Sequence, residues 1–80
     1  MTNAIEKLQP VTDTREVFLD SKATGKAVKN ARAGAKIMQK ELAAEMGVTP
    51  SYLSDLERGA RRWTTALFDK AKAALQQLAR

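Results

Sequence analysis

The stretch that constrains the fold most is residues 39–59, QKELAAEMGVTPSYLSDLERG, which has the pattern of two short helices joined by a tight turn. Helix-forming residues open this stretch, and Gly47 ends their run. Thr49 is then a good N-cap, and Pro50 suits the first helical position, where its missing N–H costs nothing. The sequence therefore predicts that a second helix starts at Pro50 and ends near Arg58.

This second predicted helix has one apolar face and several polar ones. Leu53 and Leu56 have the i, i+3 spacing of a face turned toward a core. The remaining faces carry side chains that are left to contact a partner, namely Ser51, Tyr52, Ser54 and Asp55.

The 39–59 stretch resembles the phage-repressor and Cro-like helix-turn-helix domains, often called Xre-like. The shared pattern is Gln-x-x-Leu-Ala-x-x-x-Gly-Val-x-x-x-x-Leu-Ser-x-Leu-Glu-x-Gly. The family also commonly pairs an Arg near the end of helix 1 with a Glu near the end of the recognition helix, and Arg32 and Glu57 stand in those places. The resemblance covers roughly residues 25–75. It implies an all-α fold, a compact four-to-five-helix bundle of the lambda-repressor-like helix-turn-helix type.

Two further helices are predicted around this pair. Helix 1 begins between Ser21 and Gly25 and runs to about Ala33. The last helix follows Thr64, a plausible N-cap, and spans approximately residues 65–78 with a long apolar stripe. Between these two segments the sequence predicts the helix-turn-helix itself.

The connection between the first two helices departs from the family pattern. Lys36 replaces the usual turn glycine, and Gly34 lies two residues earlier, which predicts an early end to helix 1. Met38 occupies the place of a Ser, Thr or Asn N-cap, while Glu41 at N3 keeps part of the capping signal. Helix 2 is still expected to form.

Charge divides the chain into two parts. Residues 1–20 carry two basic and four acidic side chains, whereas residues 21–80 carry twelve basic and five acidic ones. The sequence predicts that 1–20 is a leader, partly disordered or docked on the core through Val17-Phe18-Leu19, and that 21–80 is the helix-turn-helix DNA-binding domain. The leader's alternative role is an arm that grips DNA or a partner subunit, although its acidic balance argues against DNA.

Composition excludes several classes of function. The chain has no Cys and no His, so it lacks a disulfide framework and the usual zinc and acid–base sites. It shows no nucleophile–base set or phosphate loop, which predicts no enzyme activity, no cofactor and no metal. No segment approaches a membrane-spanning apolar run, so the prediction is a cytoplasmic protein with no membrane partner and no apparent small-molecule ligand.

The net charge of +5 and the family resemblance both indicate a polyanion partner. By resemblance, the recognition helix lies in the major groove. Its predicted base contacts are Pro50, Ser51, Tyr52, Ser54 and Asp55. The predicted phosphate or anchoring contacts are Gln39, Lys40, Thr49, Arg58, Arg61 and Arg62. Arg32 and Glu57 are predicted to be a structural pair, and Trp63 a core or lid residue.

The base-reading chemistry of this helix is restrained. Ser51 and Ser54 donate or accept hydrogen bonds, and Pro50 offers only apolar contact. Asp55 accepts from a cytosine amino group, positions an Arg, or simply solvates the helix while repelling phosphate. Among these predicted base contacts no Arg, Asn or Gln stands for a bidentate contact, so the source of specificity is left open, with DNA shape as one contributor.

These observations predict a sequence-specific double-stranded DNA-binding transcriptional regulator, a small repressor of phage or mobile-element type. A homodimer, at least on DNA, is the further partner to consider. The alternative function is a protein-interaction module with a helix-turn-helix fold, either antitoxin-like or an adaptor that binds a polymerase or repressor, because a fold alone does not establish function.

Overall fold

A computed structural model describes Ile5, Leu8 and residues 19–79, and all regular structure in this part of the chain is helical. The four helices are α1 (Ser21–Gly34), α2 (Gln39–Met46), α3 (Pro50–Arg58) and α4 (Thr65–Leu78). The predicted bounds of the last three helices are confirmed, and so is the all-α fold class.

Side-chain caps explain where three of the helices begin. The Asp20 carboxylate accepts from the Ala23 N–H at 3.0 Å, while the Thr49 and Thr64 hydroxyls each accept at 3.1 Å from an N–H three residues later. Met38, ahead of α2, makes no side-chain cap. Its own N–H donates instead to Glu41 Oε1 at 2.8 Å, so α2 keeps the backward half of a capping box.

Three residues with positive φ reverse the chain between helices. Gly47 (φ 76°) and Gly59 (φ 79°) close α2 and α3 in the left-handed conformation that glycine adopts without strain. Lys36 does the same after α1, at φ 59°. The early end predicted for helix 1 is wrong, because α1 continues to Gly34 and the positive-φ turn falls at Lys36.

The core is formed by α1 packing on α3 and α2 packing on α4. Trp63 is its largest buried side chain, and its ring meets Phe68 edge-on with centroids 6.5 Å apart. The indole Nε1–H donates to the Leu56 carbonyl at 2.9 Å, which satisfies the one polar atom of this side chain. Trp63 is therefore a core residue.

Gly25 sets how closely α1 approaches α3. A Cβ atom at this position would lie 2.2 Å from the Leu56 carbonyl oxygen and 2.7 Å from that of Glu57. Only a residue without a side chain fits, since real Cβ atoms do not approach backbone oxygen so closely. This close crossing places the second turn of α1 against the end of α3.

Among the described residues N-terminal to α1, three contribute to the core. Ile5, Leu8 and Leu19 are buried, and the Leu19 N–H donates to the Trp63 carbonyl at 3.4 Å. Apart from Ile5, Leu8, Leu19 and Asp20, the predicted leader, Phe18 included, lies outside the described residues, so its boundary at residue 20 stays a prediction. Among the residues that the structure describes, no helix is both long and apolar enough to cross a membrane.

Candidate nucleic-acid interface

A buried carboxylate ties the first three helices together beneath the candidate interface. Glu57 on α3 accepts from Arg32 Nε at 2.7 Å and from Arg32 Nη2 at 3.1 Å. Its Oε1 also accepts from Gln39 Nε2, at the start of α2, at 2.9 Å. Arg32 donates a third bond, through Nη1, to the Ile37 carbonyl at 2.9 Å. Charge and hydrogen bonds are thus both satisfied, as a buried ion requires.

This arrangement fixes the relative position of α2 and α3. One of the two side-chain N–H groups of Gln39 donates to Glu57. The other N–H and the amide oxygen are left for a ligand. Lys40, next along the helix, is exposed. The two residues lie in the first turn of α2, where backbone N–H groups lack helical acceptors and the helix dipole favours an anion.

The recognition helix α3 is divided between core and solvent. Leu53 and Leu56 are fully buried, while Thr49, Pro50 and Ser51 are exposed at the helix start. Tyr52, Ser54 and Asp55 are partly exposed. The structure therefore leaves all the predicted base-contact residues accessible along α3.

Asp55 is engaged with two arginines in the free protein. Arg58, one turn later on α3, donates a hydrogen bond through Nη2 to Asp55 Oδ1. Arg61, from the loop after α3, places its Nε 3.5 Å from Asp55 Oδ2. Of the three roles that the sequence left open for Asp55, this arrangement favours the positioning of arginines.

Arg61 also contacts the aromatic ring of the recognition helix. Its guanidinium carbon lies 5.1 Å from the Tyr52 ring centroid, within the range of a cation–π interaction. The sequence did not predict this contact, because it depends on the path of a loop. The adjacent Arg62 is exposed.

The loop that carries these arginines is held at both ends. The Ala60 N–H donates to the Asp55 carbonyl at 2.9 Å, and the Trp63 N–H donates to Ser21 Oγ at 2.8 Å. Gly59 packs against α1, where a Cβ atom would lie 2.7 Å from the Lys22 Cα. The loop backbone is thus fixed by α1, α3 and the core.

The chemistry on this surface is that of binding to an anion. The exposed cations Lys40, Arg58, Arg61 and Arg62 flank or follow α3, alongside hydroxyl and amide groups. Among the described residues, no group of acidic side chains is arranged to hold a metal ion. Helical N–H groups, hydroxyls and guanidinium groups are the usual donors to nucleic-acid phosphates and base edges.

Comparison with curated proteins and with solved structures gives no match. A family model described as helix-turn-helix matches residues 28–68, which is 41 of the 80 residues. The matched segment runs from the second half of α1, through α2 and α3, to the first turn of α4. The chain therefore belongs to the helix-turn-helix family of DNA-binding transcription regulators, of the Cro/C1 type.

Proposed function

We propose that this protein binds a specific sequence of double-stranded DNA and represses transcription by occupying a promoter, as a small repressor of phage or mobile-element type. The observation that carries the proposal is the division of α3. Its apolar side is locked in the core by Leu53 and Leu56, while its opposite side is accessible and bordered by cations. A helix held in this way is suited to the major groove.

Base contacts are assigned to the exposed face of α3. Ser51 and Ser54 offer hydroxyl groups that donate or accept, and Pro50 offers apolar contact to a thymine methyl group. Thr49 lies at the margin of this face, and its hydroxyl oxygen already accepts from the Tyr52 N–H. The hydroxyl hydrogen of Thr49 remains available to a phosphate.

Phosphate contacts are assigned to the two sides of α3. On one side are Gln39 and Lys40 in the first turn of α2, where a phosphate would also meet free N–H groups. On the other side is Arg62, while Arg58 is paired with Asp55 and is assigned an anchoring role. Contacts on both sides would place the helix in the groove and fix its register.

A small DNA-binding domain gains affinity for its site when two copies bind the DNA together. We propose a homodimer that forms at least on DNA and places two copies of α3 in successive major grooves, about 34 Å apart. The recognised site would then contain two related half-sites. A cytoplasmic location is the corresponding expectation, because the protein must reach DNA.

The test is selection from random duplex DNA by the full chain, followed by binding measurements at several salt concentrations. The variant Lys40→Ala/Arg62→Ala removes two proposed phosphate contacts, and Lys26→Ala/Lys29→Ala removes two exposed charges from α1 as a matched control. We expect an enriched sequence. We also expect the first variant to reduce the salt slope by nearly two, at about 0.9 per phosphate, and the control to change it less.

Two outcomes would count against the proposal. Binding without an enriched sequence, lost at physiological salt, would show that the isolated protein is not a sequence-specific repressor. The search would then turn to a protein partner for the exposed face of α3. Equal loss of slope in the two double variants would instead contradict the assigned phosphate contacts.

A further inference from the structure

Arg61 folds back from the loop onto the recognition helix. Its Nε atom faces Asp55, and its guanidinium carbon lies over the Tyr52 ring, 5.1 Å from the ring centroid. Tyr52 and Asp55 are one turn apart on α3, so the guanidinium lies beside the helix and not beyond its end. Its side chain is 55% exposed, which leaves it accessible to a ligand in front of α3.

The backbone of the loop holds Arg61 at this place. Gly59 reverses the chain in the left-handed conformation, and the Ala60 N–H bonds back to the Asp55 carbonyl. Two residues after Arg61, Trp63 is anchored in the core. Because the chain is fixed on both sides of Arg61, the contacts with Tyr52 and Asp55 need only orient the side chain.

The environment of Arg61 is unlike that of a phosphate-binding arginine. Asp55 lies 3.5 Å from its Nε, and a phosphate in the same place would be repelled by that carboxylate. A guanine edge carries no net charge and presents two acceptors, O6 and N7, that match two parallel N–H donors. With the Nε edge turned to Asp55, the Nη1 and Nη2 edge has no hydrogen-bond partner in the described part of the chain.

We propose that Arg61 reads a guanine in the major groove through Nη1 and Nη2, with Asp55 and Tyr52 as positioning residues. This inference rests on the proposed function and deepens it. It supplies a bidentate base reader, which is missing among the predicted base-contact residues of α3, and it takes Arg61 out of the set of phosphate contacts. Asp55 then acts on specificity through Arg61 and makes no base contact of its own.

The test compares Arg61→Ala and Arg61→Lys with Arg62→Ala as a matched control from the same loop. Each protein is measured against the selected duplex and against duplexes that carry each of the four base pairs at every position. Loss of one bidentate pair corresponds to a factor of about 5 to 150 in affinity. For Arg61→Ala we expect a loss of this size confined to duplexes with guanine at one position, and discrimination at that position should disappear.

Arg61→Lys should recover little of this discrimination, because an ammonium group does not present two parallel donors. Arg62→Ala should weaken binding to all duplexes alike. A uniform loss for Arg61→Ala, together with a salt slope reduced by about one, would identify a phosphate contact and overturn the proposal. So would an unchanged base preference. If the wild-type protein enriches no sequence, the proposed function fails and this inference fails with it.

The positioning role is tested with Asp55→Asn and with Tyr52→Phe beside Tyr52→Ala. Asp55→Asn removes a negative charge near DNA, so we expect non-specific binding to strengthen while discrimination at the Arg61 position declines. Tyr52→Phe keeps the ring and should keep that discrimination, whereas Tyr52→Ala should reduce it. If Asp55→Asn improves affinity for all duplexes and leaves discrimination intact, Asp55 does not position Arg61. Circular dichroism spectra that match the wild type would establish that each variant is folded.

Discussion

The Arg32 guanidinium donates two hydrogen bonds, of 2.7 Å and 3.1 Å, to the Glu57 carboxylate, which lies 25 residues later in the sequence. The Glu57 side chain is 2% exposed and that of Arg32 is 14% exposed. Through this pair the end of α1 and the end of the recognition helix hold each other, and Gln39 adds the start of α2. The ion pair therefore fixes the geometry on which the proposed interface depends.

Replacing Arg32 with Ala is expected to destabilise the protein by about 3–5 kcal/mol, because it leaves the buried Glu57 carboxylate without its counter-charge. Against a total stability of a few kcal/mol for a domain of this size, much of the population would unfold. Urea denaturation followed by circular dichroism measures the change. Arg58→Ala is the matched control, since it breaks an exposed ion pair on α3 and should cost less than about 1 kcal/mol. Similar losses in the two variants would contradict a structural role for the buried pair.

Gly25→Ala is predicted to be strongly destabilising, by about 2 kcal/mol or more, because the new Cβ would lie 2.2 Å from a backbone oxygen of α3. The backbone cannot move aside as a flexible side chain would, so α1 must shift away. Gly34→Ala provides the control on the same helix. A Cβ there meets nothing within 4 Å, and the substitution should stabilise α1 by about 0.4–1 kcal/mol. Thermal unfolding of the two variants should move the melting temperature in opposite directions.

Gly25 and Gly34 differ in a way that the sequence alone does not predict. Local sequence signals mark where α3 and α4 begin, namely Thr49 and Pro50 for α3 and Thr64 for α4. The bounds of these two helices were therefore predictable from the sequence. Gly25 and Gly34 are the same residue in the same helix, and only the crossing of α1 over α3 distinguishes them. The role of Asp55 could not be predicted from the sequence either. It depends on a loop that returns Arg61 to the helix, and that path is set by tertiary contacts and not by local pattern.

Lys36→Gly is expected to stabilise the protein by about 0.5–1 kcal/mol. Lys36 adopts φ 59°, and the left-handed conformation costs a residue with a Cβ roughly 1–2 kcal/mol, part of which is offset by the greater freedom of glycine in the unfolded chain. Lys36→Ala removes the same charge but keeps the strain, so it should leave stability nearly unchanged. Chemical denaturation of both variants separates backbone strain from charge. Equal stabilities would show that the turn after α1 is not strained.

Gln39→Glu tests whether the amide is required between α2 and the buried carboxylate. The substitution replaces the donor that lies 2.9 Å from Glu57 Oε1 with an acceptor and brings a second negative charge against Glu57. Loss of the bond together with like-charge repulsion should cost about 2 kcal/mol or more. Gln39→Met has nearly the same shape and removes the bond without adding charge, so it should cost about 1 kcal/mol.

The two variants also separate stability from DNA binding. If Gln39 contacts a phosphate, Gln39→Met weakens binding to the selected duplex at temperatures where the protein is fully folded. If Gln39 only braces Glu57, that affinity stays unchanged and the effect appears in denaturation alone.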